Sequence, residues 1–129
     1  MYFRAAMRIA AAGSLLAAAF LFAIPAFARA APEALPDIVA ADLPKEGREV
    51  LVQIRGGGPF RYDRDGVVFG NYEHLLPAAR KGYYHEYTVP TPGAKNRGAR
   101  RIICGGPAKA PDTCFYTSDH YRSFKRIRE

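Results

Sequence analysis

Tyr83-Tyr84-His85-Glu86-Tyr87-Thr88-Val89 lies between Gly82 and Pro90-Thr91-Pro92-Gly93. Aromatic and β-branched residues fenced by glycine and proline predict a β-strand. Side chains alternate across a strand, so Tyr84, Glu86 and Thr88 share one face, and His85 and Tyr87 share the other. Only one of His85 and Glu86 can therefore enter an open cleft.

Outward from this run, the downstream chain reads as further strands. A polar loop to Gly98 leads into a second strand, Ala99 to Cys104, on which Ala99, Arg101 and Ile103 share a face and Arg100 points away. Residues 105–112 form a Pro/Gly loop, Thr113 to Thr117 a third strand, and Ser118-Asp119-His120 a turn into a fourth, Tyr121 to Ile127.

Upstream, residues 59–82 are turn-rich. Asp65-Gly66 marks a tight turn. Val67-Val68-Phe69 is a brief extended run into Gly70-Asn71-Tyr72-Glu73, and Leu75-Leu76-Pro77 closes this loop onto the core. Pro44 suits a first helical turn, and Glu46 and Glu49 sit where the helix dipole favours acid. Val50, Leu51 and Ile54 give an apolar stripe, which Gly56-Gly57-Gly58 and Pro59 bring to an end. Ile38-Val39 is a candidate minor edge strand. The expectation is an α+β fold, with one main N-terminal helix packed on one face of a small antiparallel β-sheet. The core is expected to join the helix stripe to Ile102, Phe115 and Phe124, leaving the other sheet face open for a site.

Residues 1–30 read as a leader. Arg4 and Arg8 precede an almost wholly apolar run, Ile9 to Phe27, and Ala26-Phe27-Ala28 or Ala28-Arg29-Ala30 offers a small-x-small cleavage site. A transmembrane anchor is the competing reading, because about 19 apolar residues can just span a bilayer; Pro25 and the small residues favour cleavage. Residues 31–129 then form one domain, exported and free of the membrane. Losing Arg4, Arg8 and Arg29 lowers the formal charge from +7 to +4. That excess favours a polyanionic partner without naming one. Cys104 and Cys114 survive cleavage, and export permits their pairing. Two cysteines ten apart, with no CxxC, do not make a zinc site. A catalytic thiol does not suit an oxidising compartment.

Glu86, the arginines around Arg101 and His120 supply a carboxylate, guanidinium groups and an imidazole on successive segments. A bare Glu–Arg cross-strand pair is ordinarily structural. RNA cleavage without a metal, however, asks for these groups: a base for the 2′-hydroxyl, an acid for the departing 5′-oxygen, and cations for the phosphoryl charge. In spelling and order, Gly82 to Val89, Arg97-Gly98-Ala99-Arg100-Arg101-Ile102-Ile103 and Asp119-His120-Tyr121 resemble the guanyl-specific microbial ribonucleases, the barnase and ribonuclease Sa group. The likeness runs from about residue 35 to 127.

The resemblance implies a secreted endoribonuclease that cuts single-stranded RNA 3′ of guanosine. It forms a 2′,3′-cyclic phosphate and then hydrolyses it, with no metal or other cofactor. Glu86 would be the base and His120 the acid, with Arg97, Arg101 and Tyr121 on the phosphate and Arg101 near Glu86. Phe69, Gly70, Asn71, Tyr72 and Glu73 would bind guanine: a carboxylate at 73 accepts from both donors on the base edge while an aromatic stacks on the ring. His74 and His85 match nothing in the family and read as structural or surface residues.

Many relatives carry a longer side chain at the position of Gly70 and an arginine at that of Tyr72, so guanine preference is the trait most exposed to change. Some relatives join the domain's ends by a disulfide. No cysteine here can do so, and Cys104–Cys114 would be a hairpin staple, although the position of Cys104 is a buried free thiol in other relatives. The resemblance also implies a monomer and a barstar-like acidic inhibitor in the producing cell. The rival reading is a non-catalytic secreted RNA- or polyanion-binding module on the same scaffold.

Overall fold

The computed structural model describes residues 34–129, with Gly13 alone before them. The leader and its cleavage site lie outside the described residues. The elements are β1 (Asp37–Val39), a single 3-10 turn (Ala40–Asp42), α1 (Lys45–Gly56), β2 (Tyr84–Thr88), β3 (Arg101–Gly105), β4 (Thr113–Thr117) and β5 (Lys125–Arg128). They form one five-stranded sheet in the order β1-β5-β4-β3-β2.

α1 buries Val50, Leu51 and Ile54, the stripe that its sequence spacing predicts. Each such side chain contributes about 1.5–3 kcal/mol on removal from water. The helix ends because Gly57 turns left-handed (φ 78°). Its N–H then donates to Ile54 O and that of Gly58 to Gln53 O, satisfying carbonyls that the helix leaves open.

The sheet is mixed rather than purely antiparallel. β2, β3, β4 and β5 pair antiparallel in chain order, whereas β1 joins β5 in parallel, with Ile38 beside Ile127. Arg126 N donates to Pro36 O and Arg128 Nε to Asp37 Oδ2 at this edge. The short N-terminal strand has to run along the last one, and no local pattern announces the direction of so distant a pairing.

Alternation divides the core in two. Tyr87, Val89, Ile102, Cys104, Tyr116 and Ile127 pack with the helix. Tyr84, Ile103, Phe115 and Phe124 form a second cluster with Leu76. Phe115 and Phe124 thus do not join the helix stripe. Phe115 stands opposite Ile103, one residue out of phase with the Ile102–Tyr116 pair. The face expected to be open is instead half roofed by the loop around Leu76 and by Phe124.

The fourth strand begins at Lys125, not Tyr121. His120 and Tyr121 are both left-handed (φ 55° and 70°), which ends any strand there.

Cys104 and Cys114 face each other across β3 and β4 and are disulfide-bonded, with Cα atoms 4.1 Å apart. The closed loop is short, and the chain-entropy model gives it about 2–3 kcal/mol. Replacing both cysteines by alanine is expected to cost that amount in urea unfolding while leaving the fold intact. A loss under 0.5 kcal/mol, on the scale of an ordinary surface substitution, would show that the hairpin is already held by its strand pairing.

Candidate active site

The site begins with a turn. Asp65 accepts from Tyr62 N through Oδ2 and from Thr88 N through Oδ1, at 3.1 and 2.7 Å. Gly66 N donates to Glu86 O, Glu86 N to Val67 O, and Phe69 N to Tyr84 O. The Val67–Phe69 run therefore lies along the free edge of β2, bridged at Val68 and His85. This pairing sets Arg64 at one end of Glu86 and delivers Phe69 to the second core cluster.

Glu86 is 3% exposed, on the face away from the helix. One carboxylate oxygen, Oε2, accepts from the Tyr121 hydroxyl. The other, Oε1, accepts from Arg64 Nη2 at 3.2 Å. Arg101 does share the face of Glu86, but it stands opposite Thr88, while Glu86 stands opposite Ile103. That diagonal offset places a bridge between them rather than a direct ion pair: Arg101 Nε donates to the Tyr121 hydroxyl at 3.1 Å. The arginine that touches the carboxylate is Arg64, which the sequence reading missed. Its only sequence signal is its place beside Asp65-Gly66.

Arg101 is 2% exposed, and its Nη1 donates to Gly98 O and Arg100 O. It gathers the 97–100 loop around itself. Arg97 Nε donates to Thr88 Oγ1 at 3.0 Å, and Arg97 Nη2 is buried without a partner. A buried guanidinium nitrogen is ordinarily satisfied, so this orphan donor fits a site built for an anion.

His120 N donates to Ala99 O, holding the imidazole's backbone beside the arginine loop, and its ring lies edge-on to Tyr121 at 4.8 Å. Burial first, then the bond to Glu86, raises the Tyr121 phenol above 10.0, so its hydroxyl stays protonated and donates at neutral pH. The left-handed pair is held by Asp119. That carboxylate accepts from Ser123 Oγ, Ser123 N and Thr117 Oγ1, and Tyr121 N donates to the same threonine oxygen.

The side-chain bond from Ser123 is the main cause that lowers the Asp119 carboxyl from 3.8 to about 2. A depressed folded pKa gives stability that is present above the unfolded value and lost as pH falls through the folded one. Asp119→Asn is thus expected to be less stable than the parent at neutral pH, by roughly 1 kcal/mol on the scale of a net hydrogen bond. The difference should shrink steadily as pH falls from about 5 to 2 in melts across that range. A gap at pH 2 as large as at neutral pH would place the effect elsewhere.

The loop after Phe69 is pinned by Asn71, whose side chain donates to Leu76 O and accepts from Leu76 N. Asn71 and His74 take positive φ (50° and 56°). Phe69 stacks on Tyr121 at 5.3 Å and 21°. Phe69, Asn71, Tyr72, Glu73, Leu75, Tyr121 and Phe124 line a cleft of about 150 Å³. Every predicted base-binding residue except Gly70 therefore lines one cavity, and Tyr121 joins that cavity to Glu86. Gly70 and Tyr72 are coupled: a Cβ on Gly70 would lie 2.5 Å from the Tyr72 ring. The tyrosine ring occupies the space that a longer side chain at 70 would need, so the two departures form one rearrangement. His74 is exposed and its backbone N donates to Asn71 O, His85 is half-buried, and neither imidazole makes a hydrogen bond to the other described residues.

The ribonuclease family model matches residues 28–128. Guanyl-specific ribonuclease Sa3 of Kitasatospora aureofaciens is 50% identical over 98 residues, covering 76% of this chain and 67% of the relative. Guanyl-specific ribonuclease Sa of the same organism is 53% identical over 85 residues, covering 66% and 85%. Ribonuclease Sa2, solved in complexes with mononucleotides, superposes with a TM-score of 0.70 at 43% identity, covering 74% of this chain and 96% of its own. The same protein has been solved with guanosine-2′-cyclophosphate.

Proposed function

The chain belongs to the guanyl-specific microbial ribonuclease family, and on that premise we propose that it cleaves single-stranded RNA on the 3′ side of guanosine. Guanine enters the cleft between Phe69 and Glu73, stacking on Phe69 while the Glu73 carboxylate accepts from the two donors of the base edge. The adjoining phosphate then meets Arg97 and Arg101. Glu86 takes the 2′-hydroxyl proton, the 2′-oxygen attacks phosphorus, and His120 protonates the 5′-oxygen that leaves. In the second step the roles reverse: His120 draws a proton from water, which opens the 2′,3′-cyclic phosphate, and Glu86 returns a proton to the 2′-oxygen. The arginines hold the charge that builds on the phosphoryl oxygens in both steps.

The observation that carries this reading is the unpartnered, buried Nη2 of Arg97, whose Nε is bonded to Thr88, two residues along the same face of β2 from the buried Glu86 carboxylate. Export of a monomer after loss of the leader, and an acidic inhibitor in the producing cell, belong to the same proposal; a disulfide suits an oxidising compartment.

The test incubates the mature domain, in EDTA, with two short RNAs that differ by one internal guanosine, and weighs the products. A single cut after that guanosine, leaving a cyclic phosphate, is the expected result. Cutting of both RNAs would remove the role given to Glu73. No cutting by folded protein would favour the binding-module reading.

A further inference from the structure

We propose that Arg64 is a third arginine of the phosphate site, covering Oε1 of Glu86 in the free protein and moving to the RNA phosphodiester when substrate binds. The inference rests on the ribonuclease reading above and adds a residue to it.

A general base needs an uncovered lone pair aimed at its proton, and each oxygen of Glu86 already accepts one bond, Oε2 from Tyr121 and Oε1 from Arg64. Tyr121 is poorly placed to leave. Its ring is stacked on Phe69 and its hydroxyl also accepts from Arg101. The Arg64 side chain is 64% exposed, and among the described residues Glu86 is its one hydrogen-bonding partner. Its backbone, by contrast, is fixed. Val67 N donates to Arg64 O, and the neighbouring Asp65 is bonded to Tyr62 and Thr88. A long flexible side chain on a rigid turn can swing while its root stays at the site.

The cation of this pair stands largely in solvent, where water competes for its donors. A phosphodiester offers the planar guanidinium two acceptors at once. The move also solves an electrostatic problem. Substrate brings an anion toward a carboxylate, and a mobile cation between the two offsets their repulsion while uncovering Oε1 for the 2′-hydroxyl.

The experiment compares the parent with Arg64→Gln and Arg64→Lys on a single-guanosine oligomer, reading kcat, KM, their salt dependence and Tm. Arg64→Gln is expected to lower kcat/KM about 10- to 100-fold at unchanged Tm. It should also reduce the slope of log kcat/KM against log salt by about 0.7, the value of one lost phosphate contact on single strands. Arg64→Lys, which keeps the charge, should restore the slope and part of the rate. Unchanged kcat/KM and slope would overturn the inference and leave a plain surface ion pair. A faster Gln variant would overturn it too, making Arg64 a restraint on the base. A parent that does not cut RNA at all would instead remove the underlying ribonuclease reading, and the inference with it.

Discussion

Glu86→Gln will lower kcat/KM on guanosine-containing RNA by about 10³-fold, a middle value for the loss of a general base. That corresponds to roughly 4 kcal/mol of transition-state stabilisation. The amide is nearly isosteric with the carboxylate. Its oxygen can still accept from the Tyr121 hydroxyl, so the polar network around Arg101 is retained. What it cannot do is accept the 2′-hydroxyl proton. Affinity for an oligomer carrying 2′-deoxyguanosine, which cannot react, should hold within a few-fold or rise, because a negative charge beside the phosphate is gone. A variant that still cuts within tenfold of the parent would remove Glu86 as the base. Rate and Tm falling together would mean that the buried carboxylate serves the fold.

Glu73→Gln should abolish base discrimination rather than cleavage. Glutamate presents two acceptors to the two adjacent donors of guanine; glutamine presents one acceptor and one donor, and the donor meets a donor. Hydrogen bonds to charged groups contribute about 1.5–3 kcal/mol. A roughly 10- to 150-fold fall in kcat/KM for GpC is therefore expected, with ApC changed less than threefold. Stability should not move, since Glu73 is exposed and makes no hydrogen bond to the other described residues. A parallel fall for both dinucleotides would show that Glu73 acts on the phosphate or the loop, not on the base.

Much of this site was legible before any coordinates. The period-two pattern of Tyr84–Thr88 places Glu86 away from the helix, and the structure keeps it there. Thr113–Thr117 is a strand at the expected residues, and the helix ends at its glycines. Three features were not legible, each for a physical reason. Tyr121 reads as a strand residue by composition, but Asp119 and Thr117 hold it in a left-handed conformation that non-glycine residues seldom adopt. Arg64 is 22 residues from Glu86, and only the pairing of its turn to the edge of β2 joins them. The Glu86–Arg101 relation depends on a diagonal register and on a hydroxyl from a third segment, neither of which spacing can express.

The parallel edge has a consequence in time. β1, near the start of the domain, finds its partner only in β5, whose Ile127 sits in the helix-side core. Tyr121 and Phe124 lie just before that strand and line the cleft, and His120 directly precedes them. A nascent chain lacking Lys125–Arg128 thus holds Glu86 and its arginines but lacks the strand that joins β1 to β4. On the ribonuclease reading, cleavage should therefore appear only once Lys125–Arg128 has paired with β1 and β4, and a chain cut before Lys125 is expected to leave RNA intact.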